Sequence, residues 1–363
     1  MFSQIIQLQP VNVLQIVFTT VALLGAILVW KMDRYRGFLL LFIYYAILMM
    51  LNLYEETRSN REIYIITPIF TLIKGPIVYF LVRSLINEKP ITSKLKLLHL
   101  TPAILALPFT KNVQLLILIA TFSQIAYLIA SLVLVKRYHS VSMAVRSDAL
   151  SLKLDWVNKI IYVFLLFALI DLSRLNLQPF NAFEIKAVWY FIDLLVAFFL
   201  VCFLIIKATH KPELFNDMVP YENLEIRYRE YNVQPDLRLA KQIFADIKKV
   251  VLEKGLYKQP RLSLIEVANE TGFKLKDVSW SINFASGYNF CEFINDMRID
   301  EVKKQIAQQE ESQKNILEIA FDSGFNSKSV FYNTFKSTVG MTPSQYRKSQ
   351  KNSIHTEPTS PLN

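Results

Sequence analysis

From Val11 to Lys207 the sequence is a succession of long apolar runs broken by short polar stretches, and no other feature restricts the fold so severely. A run of ~20 apolar residues is what a helix needs to cross the hydrocarbon of a bilayer, and a helix pairs its own backbone amides and carbonyls along the way. Seven runs can be marked, at 11–30, 37–54, 63–86, 96–110, 113–135, 157–177 and 185–206. The fourth is short and contains Pro102 and Pro108, so a re-entrant segment is the alternative there. From Thr209 to Asn363 the composition becomes that of ordinary soluble protein. The expectation is an all-α fold in two parts joined near Lys207.

A formal net charge of +10 fits nucleic acid, anionic lipid or basic loops on the inner face of a membrane, and does not choose among them. The placement of the charges says more. Lys31, Arg34 and Arg36 follow the first run, Lys89, Lys94 and Lys96 the third, and Lys136, Arg137, Arg146 and Lys153 the fifth. The opposite breaks are poorer in basic residues, which by the positive-inside bias puts the N-terminus outside and the C-terminal half in the cytoplasm. Dropping the fourth span would turn the basic 136–156 loop outward, against that bias. No basic n-region or small-residue cleavage site marks a cleavable signal peptide.

Lys74, Asp171, Arg174 and Asp193 lie inside the apolar runs. Ionisable residues there are costly unless they face the bundle interior. They mark either a polar cluster that holds the helices together or a pocket for a signal ligand, with Arg174 also placed to snorkel. Lys74 precedes Gly75 and Pro76, where a helix break would free backbone carbonyls beside a charge.

Residues 208–256 read as a linker and connecting helix. Pro212, Pro220 and Pro235 punctuate its first part, and then Leu237, Ala240, Ile243, Phe244, Ile247, Val250 and Val251 share one helical face up to Gly255.

Beyond it the chain repeats itself. Residues 263–273 read SLIEVANETGF and residues 315–325 read NILEIAFDSGF. Each copy opens on an N-cap residue, Ser263 or Asn315, with Glu266 or Glu318 three residues on, the capping-box arrangement. Each contains an apolar residue followed by alanine, Val267-Ala268 or Ile319-Ala320, where the small side chain lets a second helix approach. Each closes on Gly272 or Gly324, then Phe273 or Phe325, suited to a left-handed turn and a plug between helices. Two short helices about a glycine turn make a helix-turn-helix, and two copies make a tandem.

The second helix of each copy is then the one that enters a DNA groove. In the C-terminal copy Phe331 and Phe335 face inward, while Lys328, Tyr332 and Lys336 form an outward stripe, with Asn326, Ser327 and Ser329 at the N-terminal end. In the first copy Val278 and Ile282 face inward, and Lys274, Lys276, Ser279, Trp280 and Asn283 lie near or on the exposed side. Ordinary solvated faces, and edge packing for Trp280, are the alternatives. Between the copies, 290–308 reads as one helix of ~27 Å, long enough to hold two readers about one DNA turn apart.

The segment from Gly255 to Ser349 resembles the AraC/XylS-type DNA-binding domain. The resemblance rests on LYKQPRLSLIEVA, INFASGYNFCEFINDMRIDEVKKQI and ILEIAFDSGFNSKSVFYNTFKSTVGMTPSQYRK. The last stretch carries the signature at Ile319, Ala320, Gly324, Phe325, Ser327, Phe331, Phe335, Lys336, Gly340, Thr342, Pro343, Tyr346 and Arg347. It implies two helix-turn-helix units joined by a long helix, and contacts to double-stranded DNA that include Arg347. Asn333 departs from the basic residue common in that family, which puts the phosphate contact usual there in doubt and leaves an amide able to pair with adenine. The whole arrangement resembles membrane-bound AraC-type regulators of Bacteroidetes-like bacteria.

Other chemistry finds no support. Cys202 and Cys291 lack disulfide or zinc spacing, His99, His139, His210 and His355 lie far apart, and no nucleophile-base pair or phosphate loop is present. No metal, cofactor or catalysis is therefore expected. The reading is an about seven-span helical bundle at 1–207 acting as sensor and anchor in the bilayer, a linker at 208–256, a cytoplasmic tandem helix-turn-helix domain at 257–349, and a disordered tail at 350–363. In it an unknown signal ligand or membrane partner acts on the bundle, and a homodimer is compatible with it. A transporter or receptor-like bundle with a protein-docking tail is the alternative.

Overall fold

The structure, a computed structural model, describes residues 8–32, 35–57, 66–86, 92–110, 112–177, 183–210, 237–308 and 314–354. At 171–177, 183–187, 210, 237 and 351–354 the description is of the backbone alone. The described residues form fourteen α-helices and no β-strand. The chain divides into two compact bodies, one of residues 1–137 and 154–220, the other of residues 138–153 and 221–363.

Seven helices follow the seven apolar runs: α1 (Pro10–Val29), α2 (Arg36–Thr57), α3 (Thr67–Ile86), α4 (Ser93–Leu105), α5 (Val113–Val145), α6 (Asp155–Leu177) and α7 (Phe183–His210). Among the described residues five of them, α1, α2, α3, α5 and α7, are long and apolar enough to cross a membrane. The fourth run makes no helix of that length. α4 has 13 residues, or about 20 Å against a hydrocarbon core of about 30 Å. A 3-10 turn at Leu107–Phe109, with Pro108 inside it, follows.

In the first body α1 packs on α2 and α7, α2 on α3, and α3 on α4. The approach of α2 to α3 is close at Gly37, where an added Cβ would lie 2.6 Å from the Leu81 Cα. Only a residue without a side chain lets the two backbones come so near.

In the second body α8 (Leu237–Glu253) lies against α9 (Leu264–Thr271) and α10 (Leu275–Ser286). α10 then meets α11 (Phe290–Gln308), which in turn holds α12 (Ile316–Asp322), α13 (Lys328–Val339) and α14 (Pro343–Ile354). α8 and the glycine after it match the sequence pattern, since Gly255 sits at φ 62°. Its role differs from a connection, however. Ala240, Ile243, Ile247 and Val251 are buried, and Phe244 rests on Phe293 with ring centroids 5.3 Å apart. An amphipathic helix hides its apolar face against whatever is nearest, which here is the first helix-turn-helix unit. Residues 211–236 of the expected linker lie outside the described residues. The expected tail also starts later than Gln350, because α14 runs on to Ile354, and residues 355–363 lie outside the described residues.

Candidate nucleic-acid interface

The two copies of the repeat fold alike at their first helices. Ser263 accepts from the Glu266 amide at 3.4 Å while the Glu266 carboxylate accepts from the Ser263 amide at 2.7 Å. In the second copy the Asn315 side chain accepts from the Leu317 amide at 3.3 Å, and Glu318 accepts from the Asn315 amide at 3.1 Å. Both boxes close the start of the first helix of the unit, satisfying amides that would otherwise be left open.

The second helices are built differently. Neither Lys274, the N-cap of α10, nor Ser327, the N-cap of α13, caps its helix with its side chain. The first-turn amides of both therefore receive no acceptor from the N-cap side chain and lie at the positive end of the helix dipole. Lys274, Lys276 and Asn283 are exposed on the first, and Lys328, Ser329, Asn333 and Lys336 on the second. α13 contains no carboxylate, and α10 only Asp277.

The inner faces hold these helices in place. Phe331 and Phe335 are fully buried among Ile299, Val302, Ile306, Ile319, Ala320 and Phe325, so α12 and α13 share one core with the C-terminal half of α11. Val278 and Ile282 are fully buried beneath α10. α11 thus carries both units.

Several residues stand elsewhere than the sequence placed them. Ser279 is buried, because α10 packs against α8 as well as α9 and keeps less free surface than a helix in a two-helix unit. It cannot meet DNA from there. Trp280 is half-buried against Phe284, ring centroids 6.3 Å apart, and its indole nitrogen finds no acceptor. Phe273 is only half-buried, unlike its counterpart Phe325. Tyr332 leans onto the core rather than outward, with Lys328 Nζ 6.0 Å above its ring. Arg347 is half-buried and donates to the Lys314 carbonyl at 3.2 Å, tying α14 to the start of the second unit. Asn326 is exposed and donates to Asp148 at 3.4 Å, and Ser327 Oγ lies 3.1 Å from Ser329 Oγ.

Sequence reasoning missed the residue that joins the two units. Arg298, on α11, is 2% exposed. It donates to the carbonyls of Tyr257 (2.7 Å) and Gln259 (2.8 Å), to Asn295 Oδ1 (3.0 Å) and to Ser147 Oγ (3.1 Å), with its guanidinium 5.8 Å above the Phe325 ring. Burial lowers its pKa to about 10, and it stays charged at neutral pH. The one available signal was its spacing, four residues after Ile294 and four before Val302, on the inward stripe of α11.

The ligand candidates divide. Asp171 and Arg174 have side chains outside the described residues. Lys74 is half-buried, its Nζ 5.5 Å above the Phe164 ring. α3 runs without interruption through Gly75 and Pro76, so the expected break is absent. Gly75 serves packing instead, since an added Cβ would lie 3.0 Å from the Gln124 Cα on α5. Asp193 sits within electrostatic reach of Tyr44, Tyr45 and Tyr190. Near Tyr190 is a chain of buried amides that the sequence did not flag: Gln15 donates to Tyr190 Oη at 3.1 Å, and Asn12 to Gln15 at 3.3 Å and to Glu56 at 2.9 Å.

A family described as a helix-turn-helix domain matches residues 267–349. The Melibiose operon regulatory protein of Escherichia coli K12 is 46% identical over 57 residues, 16% of this chain and 18% of that protein. The C-terminal domain is of the AraC/XylS type. HTH-type transcriptional regulators of Staphylococcus aureus, among them those of strains COL and N315, are 34% identical over 86 residues, 24% of this chain and 11% of theirs. The chain thus spans less than a fifth of the curated relatives it matches, and the likeness lies in the AraC/XylS-type domain. No solved structure matches the chain.

Proposed function

We propose that the protein is a membrane-bound, sequence-specific DNA-binding transcription regulator whose α10 and α13 read adjacent major grooves. The observation that carries this reading is the pair of uncapped, basic helix starts mounted on one α11. The relatives, named as operon and transcriptional regulators, agree with it. Lys274, Lys276, Asn283, Ser329, Lys328, Asn333 and Lys336 are the contact residues, the lysines for phosphates and Asn333 for a base edge.

The five apolar helices support anchoring in a bilayer. The segment between α5 and α6 belongs to the same body as the C-terminal domain, which supports a topology with both on one side of the membrane. α7 separates them in sequence and is long and apolar enough to cross, so on this reading α6, though not one of those five helices, crosses as well. On this reading that side is the cytoplasm, where DNA is, in keeping with Arg137, Arg146 and Lys153 in and beside the segment. With α4 too short to cross, the four crossings of α1, α2, α3 and α5 then put the N-terminus on that side too, not outside as expected from all seven runs.

The test is the salt dependence of promoter-fragment binding by the full chain in lipid nanodiscs. Phosphate contacts give a linear fall of log K with log salt, about 0.9 per contact. A protein-docking tail would retain no specific duplex at any salt, which would sink the reading.

A further inference from the structure

The segment after α5 is threaded into the seam of the tandem unit. Arg146 forms an isolated antiparallel bridge with Ser263, and the Ser147 amide donates to the Leu262 carbonyl at 3.0 Å, at the entrance to the first unit. The Ser147 carbonyl accepts from Cys291 Sγ at 3.2 Å and from Asn295 Nδ2 at 3.4 Å, and its hydroxyl accepts from Arg298, all on α11. Asp148 accepts from Asn326, just before the N-cap of α13. Three consecutive residues thus touch the first unit, the shared helix and the start of the second reader.

This contact is made for its place. Asp148 is 3% exposed, and a carboxylate so buried is tolerated only when paired. Arg146 grips it with two nitrogens, Nε to Oδ1 at 2.7 Å and Nη2 to Oδ2 at 2.8 Å. Ser147, Ala149 and Leu152 are buried with it. The contacts of Arg146, Ser147 and Asp148 are hydrogen bonds, which water can replace when the segment leaves. In sequence α5 ends at Val145 and α6 begins at Asp155, so a displacement of either helix pulls on the segment between them.

We propose that residues 146–152 are a clamp that, when seated, holds the two readers at the spacing of adjacent grooves, and through which the bundle controls DNA affinity by unseating it. The proposal rests on the DNA-binding reading above and names how that site is regulated. Arg298 is its positioning residue, joining the clamp to the Tyr257 and Gln259 carbonyls and to Phe325.

The experiment uses the full chain in nanodiscs with Cys202→Ser, which leaves Cys291, buried under Ser147, as the one thiol. The probe is the tightest duplex that the wild-type chain selects from random DNA, and the same duplex with one half-site scrambled, prepared in both forms so that each unit is tested in turn. Asp148→Ala removes the Arg146 and Asn326 links, and Ser147→Ala removes only the acceptor for Arg298. Both are expected to speed maleimide labelling of Cys291 and to weaken binding to the intact duplex, by about tenfold for Asp148→Ala and less for Ser147→Ala. Binding to the scrambled duplex should be unchanged, which also shows that each unit is still folded. Unchanged labelling means the clamp is not seated and overturns the proposal. Faster labelling with equal loss on both duplexes, with no loss, or with a gain overturns it too. A wild-type chain that selects no duplex would defeat the DNA reading itself, and is seen before any variant is made.

Discussion

Gly272 and Gly324 occupy the same place in the two copies of the repeat, and alanine should not cost the same at each. Gly272 lies at φ 73° with nothing within 4 Å of an added Cβ. Alanine there meets only the left-handed backbone penalty of about 1–2 kcal/mol, partly offset by the about 0.4–1 kcal/mol that alanine gains from a less free unfolded chain. The net loss is about 1 kcal/mol. Gly324, at φ 98°, bears the same penalty, and its Cβ would lie 2.5 Å from the Tyr257 carbonyl oxygen and 2.9 Å from Arg298 Nε. The backbone of 257–258 and a guanidinium with four bonds must both shift, which adds about 1–3 kcal/mol of overpacking. Gly324→Ala should therefore cost about 3 kcal/mol. With a urea slope of about 2 kcal/mol/M, the midpoints should fall by about 1.5 M for Gly324→Ala and about 0.5 M for Gly272→Ala. Pulse proteolysis of the full chain in nanodiscs, following a fragment of the C-terminal domain, reads both. Equal shifts would falsify the reasoning, because they would mean that the turn alone, and not its contact with 257–258 and Arg298, sets the cost.

Three further outcomes follow from the same geometry. Arg298→Met should lower stability by about 3 kcal/mol in the same assay, since it leaves the Tyr257 and Gln259 carbonyls buried without donors, while Arg298→Lys should recover only part of the loss. The double variant Lys328→Ala/Lys336→Ala should reduce the salt slope of DNA binding by about 2, whereas Arg347→Ala should lower the unfolding midpoint and leave the slope unchanged. Glu301 is buried in part, which opposes its charge, but hydrogen bonds from Lys258 (2.7 Å), Gln305 (2.8 Å) and Tyr257 (3.1 Å) hold its carboxyl below the ordinary range. Its stabilisation is present above the unfolded value of about 4.3 and is lost as pH falls below it, so Glu301→Gln should flatten the acid limb of the stability profile in that window.

The helix starts and turns of the tandem unit were legible because they are local. A capping box needs only residues three apart, and a left-handed turn needs only its glycine, so Ser263, Glu266, Asn315, Glu318, Gly272 and Gly324 could be placed by eye. The inward phenylalanines of α13 followed from helical spacing alone. Ser279 was misplaced because its burial depends on α8, a helix that the pattern showed to be amphipathic without saying what it would cover. Arg347 was assigned to DNA by resemblance, whereas its partner in the fold is a carbonyl 33 residues away.

The apolar runs, their helical form, the repeat and the second helix of each unit belong to the sequence, since each is a matter of spacing within about 20 residues. The tertiary structure decided which of those helices share a core, that Gly75 serves close packing rather than a break, and that Arg298 joins the two units. It also decided that the short segment after α5 touches both helix-turn-helix units and the helix α11 that they share. Such contacts join residues up to 178 apart, as Asp148 and Asn326 are, and no local pattern encodes a partner at that distance. Only the folded chain brings the buried carboxylate, the guanidinium and the amide together, and their mutual need for a partner is what holds them there.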